Sequence, residues 1–176
     1  GQNIAEKGLD RELNIYGHEE VIHILHSMAE LLLQKKHCAT IGKQIHMIKV
    51  KDGEEKDILK HKVTFFDIQS TKEKQFGFRA ELPAVSEDNA ASDNASEDNH
   101  AKPLVLACLG DEPYNEQNRR YIEGADWMMC EAFCLYADRD TFKPYEKCHS
   151  TALDAGKLAE ELGVKNLILY HTEEKT

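Results

Sequence analysis

Two apolar runs in this sequence end in residues able to bind a metal. Residues 104–109 lead into Gly110-Asp111, and residues 167–170 lead into His171. Carboxylate oxygen and imidazole nitrogen are ordinary zinc donors, and a carboxylate can bridge two metal ions. Both would project from the same edge of a sheet if their strands run parallel. A second group of interest is His149-Ser150-Thr151, just ahead of a helical stretch. Helix starts attract anions, so these three residues could hold a phosphate or a carboxylate. The plainer alternative is that Ser150 or Thr151 caps the helix and His149 is a loop residue. Glu131 ends another apolar run, as a third polar group at a strand end or simply as a solvated carboxylate. His23 and His26 share a helix face, but without a carboxylate or Cys at ligand spacing they read as a solvated flank.

The spacing of apolar residues predicts the elements that would hold these groups. Residues 18–36 have helical periodicity, with Val21, Ile22, Leu25, Met28, Ala29, Leu32 and Leu33 on one stripe. Glu19 and Glu20 suit its first turn; Lys35, Lys36 and His37 suit its last. Strands are expected at 45–50, 63–68 and 76–82, from alternation and from β-branched and aromatic content. The run 103–109 is apolar throughout, the pattern of a strand buried on both faces. A polar, helical stretch at 113–122 and a strand at 125–130 follow. Thr151 and Asp154 fit a capping box for a helix at 151–162, which Gly163 would terminate. Residues 166–170 read as a final buried strand. Strands alternating with helices imply a layered α/β fold with its site at one edge.

Composition narrows the function classes. The 176 residues include 22 Lys and Arg against 32 Asp and Glu, a net charge of −10. That balance argues against a basic nucleic-acid-binding module. Half of the excess lies in 86–100, where a five-residue unit is written three times and carries Glu87, Asp88, Asp93, Glu97 and Asp98. This tract reads as a solvated low-complexity loop inside one domain spanning 1–176. It has no Gly for the sharp turn of a calcium loop. No apolar run reaches the ~20 residues of a membrane helix, and no secretory leader opens the chain. The odd count of five Cys, without a C-x-x-C pair, suits reduced thiols in the cytoplasm.

Taken in order, these residues resemble a known family. Leu109-Gly110-Asp111, Gly124-Ala125-Asp126-Trp127, Glu131-Ala132, His149-Ser150-Thr151 and Leu167-Ile168-Leu169-Tyr170-His171 together resemble the second half of metallo-β-lactamase superfamily hydrolases. The ribonuclease Z-like branch is the best match within it. The resemblance implies an αββα sandwich with a cleft for two divalent metal ions, zinc first among them. It makes Asp111 the carboxylate that bridges the metals and His171 the terminal His ligand. It makes His149 the catalytic helper at the scissile phosphate, beside Ser150 and Thr151 as substrate-binding residues. A phosphodiester or another small ester, RNA included, would be the substrate, and the protein would form a homo-oligomer.

Three departures qualify the resemblance. The signature H-x-H-x-D-H is absent and belongs ahead of residue 1, so the sequence reads as a domain incomplete at both ends. Gln69 stands where relatives carry a metal-binding His. Cys130 replaces the first residue of an H-E-A-T element, here Cys130-Glu131-Ala132-Phe133, which points away from pre-tRNA cleavage. The competing expectation is therefore a protein of the same fold without a complete metal site, acting by association only.

Overall fold

The computed structural model describes residues 11–83 and 102–173. The repetitive tract at 86–100 lies outside the described residues. The chain divides into two compact units, residues 1–52 and 53–176.

In the first unit, β1 (Leu13–Gly17) and β2 (Ile45–Lys49) pair in parallel, Leu13 opposite Ile45 and Gly17 opposite Lys49. Parallel neighbours need a crossover, which α1 (Glu19–Leu32) and α2 (Lys35–Cys38) supply. β1 was not expected in a polar opening segment; pairing with Ile45, Met47 and Ile48 makes the strand where local propensity does not. The predicted single helix 18–36 is in fact two. Leu33 turns extended, at ψ 152°, and ends α1, so Lys35, Lys36 and His37 start a new turn. The Ala29 carbonyl accepts from the Leu33 N–H at 3.0 Å and also from Cys38 Sγ at 3.3 Å, which ties α2 to the end of α1. His18 is the N-cap, its Nδ1 accepting from the Val21 N–H. Of the predicted apolar stripe only Ile22 and Ala29 are buried; Met28, Leu32 and Leu33 are exposed.

The second unit is a six-stranded sheet in chain order, β3 (Glu55–Ile58), β4 (His61–Asp67), β5 (Phe76–Leu82), β6 (Leu104–Cys108), β7 (Trp127–Glu131) and β8 (Asn166–Tyr170). The first four strands are antiparallel neighbours, and β6, β7 and β8 run parallel. β5 and β6 pair directly and antiparallel, Leu82 opposite Leu104. The 113–122 stretch forms a 3-10 turn and then α3 (Arg119–Ile122) on the way to β7. The strand expected at 125–130 begins later, at Trp127. Asp126 ahead of it accepts from the Val105 N–H at 2.8 Å and from Lys165 at 2.6 Å, which ties the starts of β6, β7 and β8 together. Beyond β7 come a 3-10 turn, α4 (Arg139–Phe142), a second 3-10 turn at Tyr145–Lys147 and α5 (Ala152–Glu161).

One face of this sheet carries the core. Phe66 and Ile68, Val105, Ala107 and Leu109, and Met128 and Cys130 alternate along their strands with period two and bury against Tyr121, Ile122, Ala155, Ala159 and Leu162. Each fully buried Leu, Ile, Met or Phe side chain contributes roughly 1.5–3 kcal/mol. Phe66 stacks on Tyr121, centroids 4.5 Å apart. Its neighbour across the strands is Gly77, where a Cβ would strike the Cys108 carbonyl and come within 2.7 Å of the Phe66 ring. On the other face Phe65, Phe78, Cys108, Met129 and Ile168 line up across five strands, all partly exposed. β6 is thus buried on one face only. β8, expected to be buried, is an edge strand with Ile168 and Leu169 each 39% exposed.

The α5 ends match their sequence signals. Thr151 and Asp154 form the capping box. At the other end the Gly163 and Val164 N–H groups donate to the Glu160 and Ala159 carbonyls, a Schellman motif with Gly163 left-handed at φ 65°. The β3–β4 hairpin has no such agreement. Its two turn residues, Leu59 and Lys60, both have positive φ, 51° and 65°, the geometry that favours Asn-Gly.

Two outcomes follow for stability. Asp154→Ala should lower unfolding free energy at neutral pH by about 1 kcal/mol through loss of the cap. Burial raises the Asp154 pKa, but hydrogen bonds from Thr151 and Tyr145 outweigh it, and the net shift is downward. The contribution is therefore present above the unfolded value near about 3.9 and is lost as pH falls through the lower folded value. In urea titrations the gap between variant and parent should close in that acidic window and stay constant above it. Replacing Leu59-Lys60 by Asn-Gly should raise stability by on the order of 1 kcal/mol, by relieving two left-handed residues. An unchanged or lower urea midpoint would sink that account of the turn.

Candidate functional site

Strand direction gathers the expected residues. β4 and β6 point the same way, separated by one antiparallel strand, and β7 and β8 follow β6. The carboxyl ends of β4, β6, β7 and β8 therefore open at one sheet edge. Gln69 follows β4, Asp111 follows β6, Glu131 ends β7 and His171 follows β8. Gly110 allows the chain to turn there. It is left-handed at φ 82°, and a Cβ would come within 2.8 Å of Ile68. The Tyr170 hydroxyl donates to the Gly110 carbonyl. This bond joins the residue before Asp111 to the residue before His171. Burial first, then Cys108, raises the Tyr170 pKa, so it remains a phenol and a donor.

His149 and Glu131 are the centre of the cluster. Glu131 is fully buried, and Oε1 accepts from the Ser150 N–H at 2.6 Å. The solvated carboxylate expected as its plainer reading is thus excluded. Its other oxygen lies 3.5 Å from His149 Nδ1, and neither atom has a hydrogen-bond partner. His149 is 8% exposed and stacks on Phe133, centroids 4.7 Å apart and planes 2° from parallel. The His171 ring lies 5.0 Å from that of His149. Lys147 sits over Phe133, its Nζ 4.6 Å from the ring centroid. The His149 ring thus packs flat on Phe133, with Nδ1 facing a buried carboxylate oxygen.

Asp111 and His171 reach this edge as expected. Asp111 Oδ1 is buried without a partner, and His171 is exposed with φ 59°. Both are free to donate to a metal, and the oxygen and nitrogen donors suit zinc. They do not make a site by themselves. Among the described residues no group of three or more His, Cys, Asp or Glu could hold a metal ion. Gln69 adds no ligand; it is exposed, left-handed at φ 60°, and its N–H donates to Asp67. Cys130 cannot take over the role of a catalytic His. It faces the core at 1% exposure, and burial, then Glu131, pushes its thiol up to about 12.

Ser150 and Thr151, expected to bind substrate, bond their side chains within the chain. The Thr151 side chain is fully buried and exchanges hydrogen bonds with Asp154, donating at 2.6 Å to the carboxylate. Ser150 turns inward too, its hydroxyl donating to the Glu131 carbonyl at 3.3 Å. Both residues hold the helix start and Glu131 in place.

One residue at this edge carried no sequence signal. Glu112, 3% exposed, accepts from Ser70 Oγ at 2.7 Å and from the Thr71 N–H and hydroxyl at 2.8 and 3.1 Å. Burial pushes its pKa up, but these bonds and Lys72 prevail and hold it below the usual carboxylate range. It is a buried anion with three donors supplied by the turn after β4. Residues some 40 positions away in sequence provide them, so no local pattern could reveal it.

No protein-family model and no curated protein sequence matches the chain. Solved structures do. The metallo-β-lactamase fold protein YhfI from Bacillus subtilis superposes with a TM-score of 0.62 and 18% identity, over 99% of this chain and 58% of that one. The short form of human tRNase Z gives 0.61 and 19%, over 94% and 62%. A diphosphatase from the PhnP family gives 0.62 and 16%, over 96% and 51%. The chain spans just over half the length of these three structures. At such low identity the likeness is one of architecture, and it agrees with the sheet order and the polar strand ends: the chain has the metallo-β-lactamase fold.

Proposed function

We propose that the chain belongs to a metal-dependent hydrolase that cleaves phosphodiesters, in the manner of the ribonuclease Z-like branch, with the whole of 1–176 serving one hydrolase domain. The observation that carries this reading is the buried Glu131–His149 pair beside His171, with Glu131 at the end of the strand between those that lead to Asp111 and His171. Likeness to a tRNase Z and to a diphosphatase supports a phosphorus ester, RNA included, as substrate. Asp111 and His171 would be this chain's share of the residues that hold two divalent ions, zinc by donor chemistry. Such ions, when bound, supply Lewis-acid chemistry at the substrate oxygens.

The chain's own residues perform the proton work. A carboxylate can only accept, so Glu131 favours the imidazole tautomer with hydrogen on Nδ1. Nε2 is then left for the substrate, to hold or release a proton at a phosphate or leaving-group oxygen. Phe133 fixes the ring plane, and Lys147 adds positive charge beside it. The low net acidity of the residues outside 86–100 suits an anionic substrate better than the total of −10 suggests. The described thiols are unpaired, in keeping with a reducing cytoplasm, and no described helix is long and apolar enough to cross a membrane. Association of copies into an oligomer is part of the same reading. A second reading, association without catalysis, is favoured by Gln69 and by the buried Cys130 in place of catalytic groups.

Metal content and hydrolysis of bis(p-nitrophenyl) phosphate separate the two. The hydrolase reading expects bound metal that Asp111→Ala and His171→Ala reduce, and a rate that His149→Ala lowers by about 10²–10⁴ with metal content unchanged. Protein that neither binds zinc nor turns over this ester supports association only. Glu131→Gln keeps the volume and the acceptor for the Ser150 N–H but removes the charge facing Nδ1. It should lower kcat by about tenfold or more, with KM little changed. Equal loss in KM would instead mark Glu131 as a substrate-binding group.

A further inference from the structure

The turn between β4 and β5 supplies no metal ligand, yet it is held at both ends by the candidate site. Glu112, one residue beyond Asp111, takes three hydrogen bonds from Ser70 and Thr71. The same turn reaches across the edge, where Lys72 Nζ donates to the Lys147 carbonyl at 2.8 Å. Lys147 closes the 3-10 turn that leads into His149, whose N–H is bonded to the Pro144 carbonyl at 2.9 Å. Inside the turn, the Gln69 N–H donates to Asp67 at 2.8 Å and the Lys72 N–H to Ser70 Oγ at 3.2 Å. The Ile68 N–H closes its base on the Gln75 carbonyl at 3.0 Å. Glu112 on one side and Lys72 on the other thus join the Asp111 loop to the His149 segment through this turn.

We infer that Glu112 is a positioning residue: by holding Ser70 and Thr71 it sets the turn 69–72, which through Lys72 sets the backbone that carries His149. The catalytic consequence rests on the role proposed above for His149; the mechanical link does not. The chemistry favours a carboxylate: the Thr71 N–H can only donate, both hydroxyls donate in this arrangement, and an ionised carboxylate accepts from all three. A glutamine would remove the charge and present an NH2 at one end, so that a hydroxyl would have to turn and accept. Lys72 is exposed and its single bond is the weaker link; the buried carboxylate is the anchor. Gln69, left-handed and bonded to Asp67 through its backbone, belongs to the strap and not to a ligand set.

Amide hydrogen exchange on the whole chain tests the link without relying on activity. Glu112→Gln should speed exchange at Thr71 and Lys72, and also at Lys147, Cys148 and His149, by roughly tenfold or more. Exchange in β6 and β7 should stay at the parent rate. Lys72→Met should speed exchange at 147–149 and leave Thr71 unchanged, and Lys72→Arg should restore the parent rates. Glu112→Gln effects confined to 69–72, or a silent Lys72→Met, overturn the inference. Should Glu112→Gln fail to fold, the Lys72 pair decides the matter alone. In the hydrolysis assay the expected effect of Glu112→Gln is a fall in kcat with KM held. If the protein hydrolyses nothing, the function proposed above fails while the exchange result still stands or falls by itself.

Discussion

The direction of a single strand governs the rest of the site. β5 runs against both β4 and β6, so those two run together, and the crossovers through α3 and α5 keep β7 and β8 in step with them. Four carboxyl ends then open at one edge. Had β6 and β7 paired antiparallel, Asp111 and Glu131 would sit at opposite ends of the sheet. The ties that maintain this arrangement are polar and lie at its two borders. Asp126 binds the strand starts through Val105 and Lys165, and Tyr170 binds the strand ends through Gly110.

Buried charge distinguishes this edge from an ordinary surface. Glu131 and Glu112 are almost wholly excluded from solvent, and an ionised carboxylate there costs several kcal/mol unless donors surround it. Glu112 is fully supplied, with three donors and a net fall in pKa. Glu131 is supplied on one oxygen and faces His149 with the other. That difference separates the two roles. A satisfied carboxylate holds structure in place. A half-satisfied one keeps an unspent interaction for a neighbour, and the orphaned oxygen of Asp111 is a further case at the same edge.

Much of this was legible in local patterns. The capping box of Thr151 and Asp154 and the stop at Gly163 depend on neighbouring residues, so they read correctly. β5 read correctly because its alternation is strict. β1 and β3 did not, because pairing rather than propensity makes them strands. The break in the first helix was hidden too: the apolar period runs through Leu33, and only its extended backbone ends α1. Burial of β8 was misread because an apolar strand looks the same at an edge as in the middle of a sheet.

The sequence alone determined which residues stand at the strand ends, since strand limits and polar interruptions are local. Asp111, Glu131 and His171 were visible in this sense, and His149 as a residue just ahead of a capped helix. The tertiary structure decided what each of them touches. It turned Ser150 and Thr151 inward because their partners are Glu131 and Asp154, and it placed Cys130 in the core. It brought Phe133 flat against His149 and gave Glu112 its donors from a turn distant in sequence. The reason is physical: hydrogen-bond partners and burial are relations between segments, and they exist only once strand order and direction are in place.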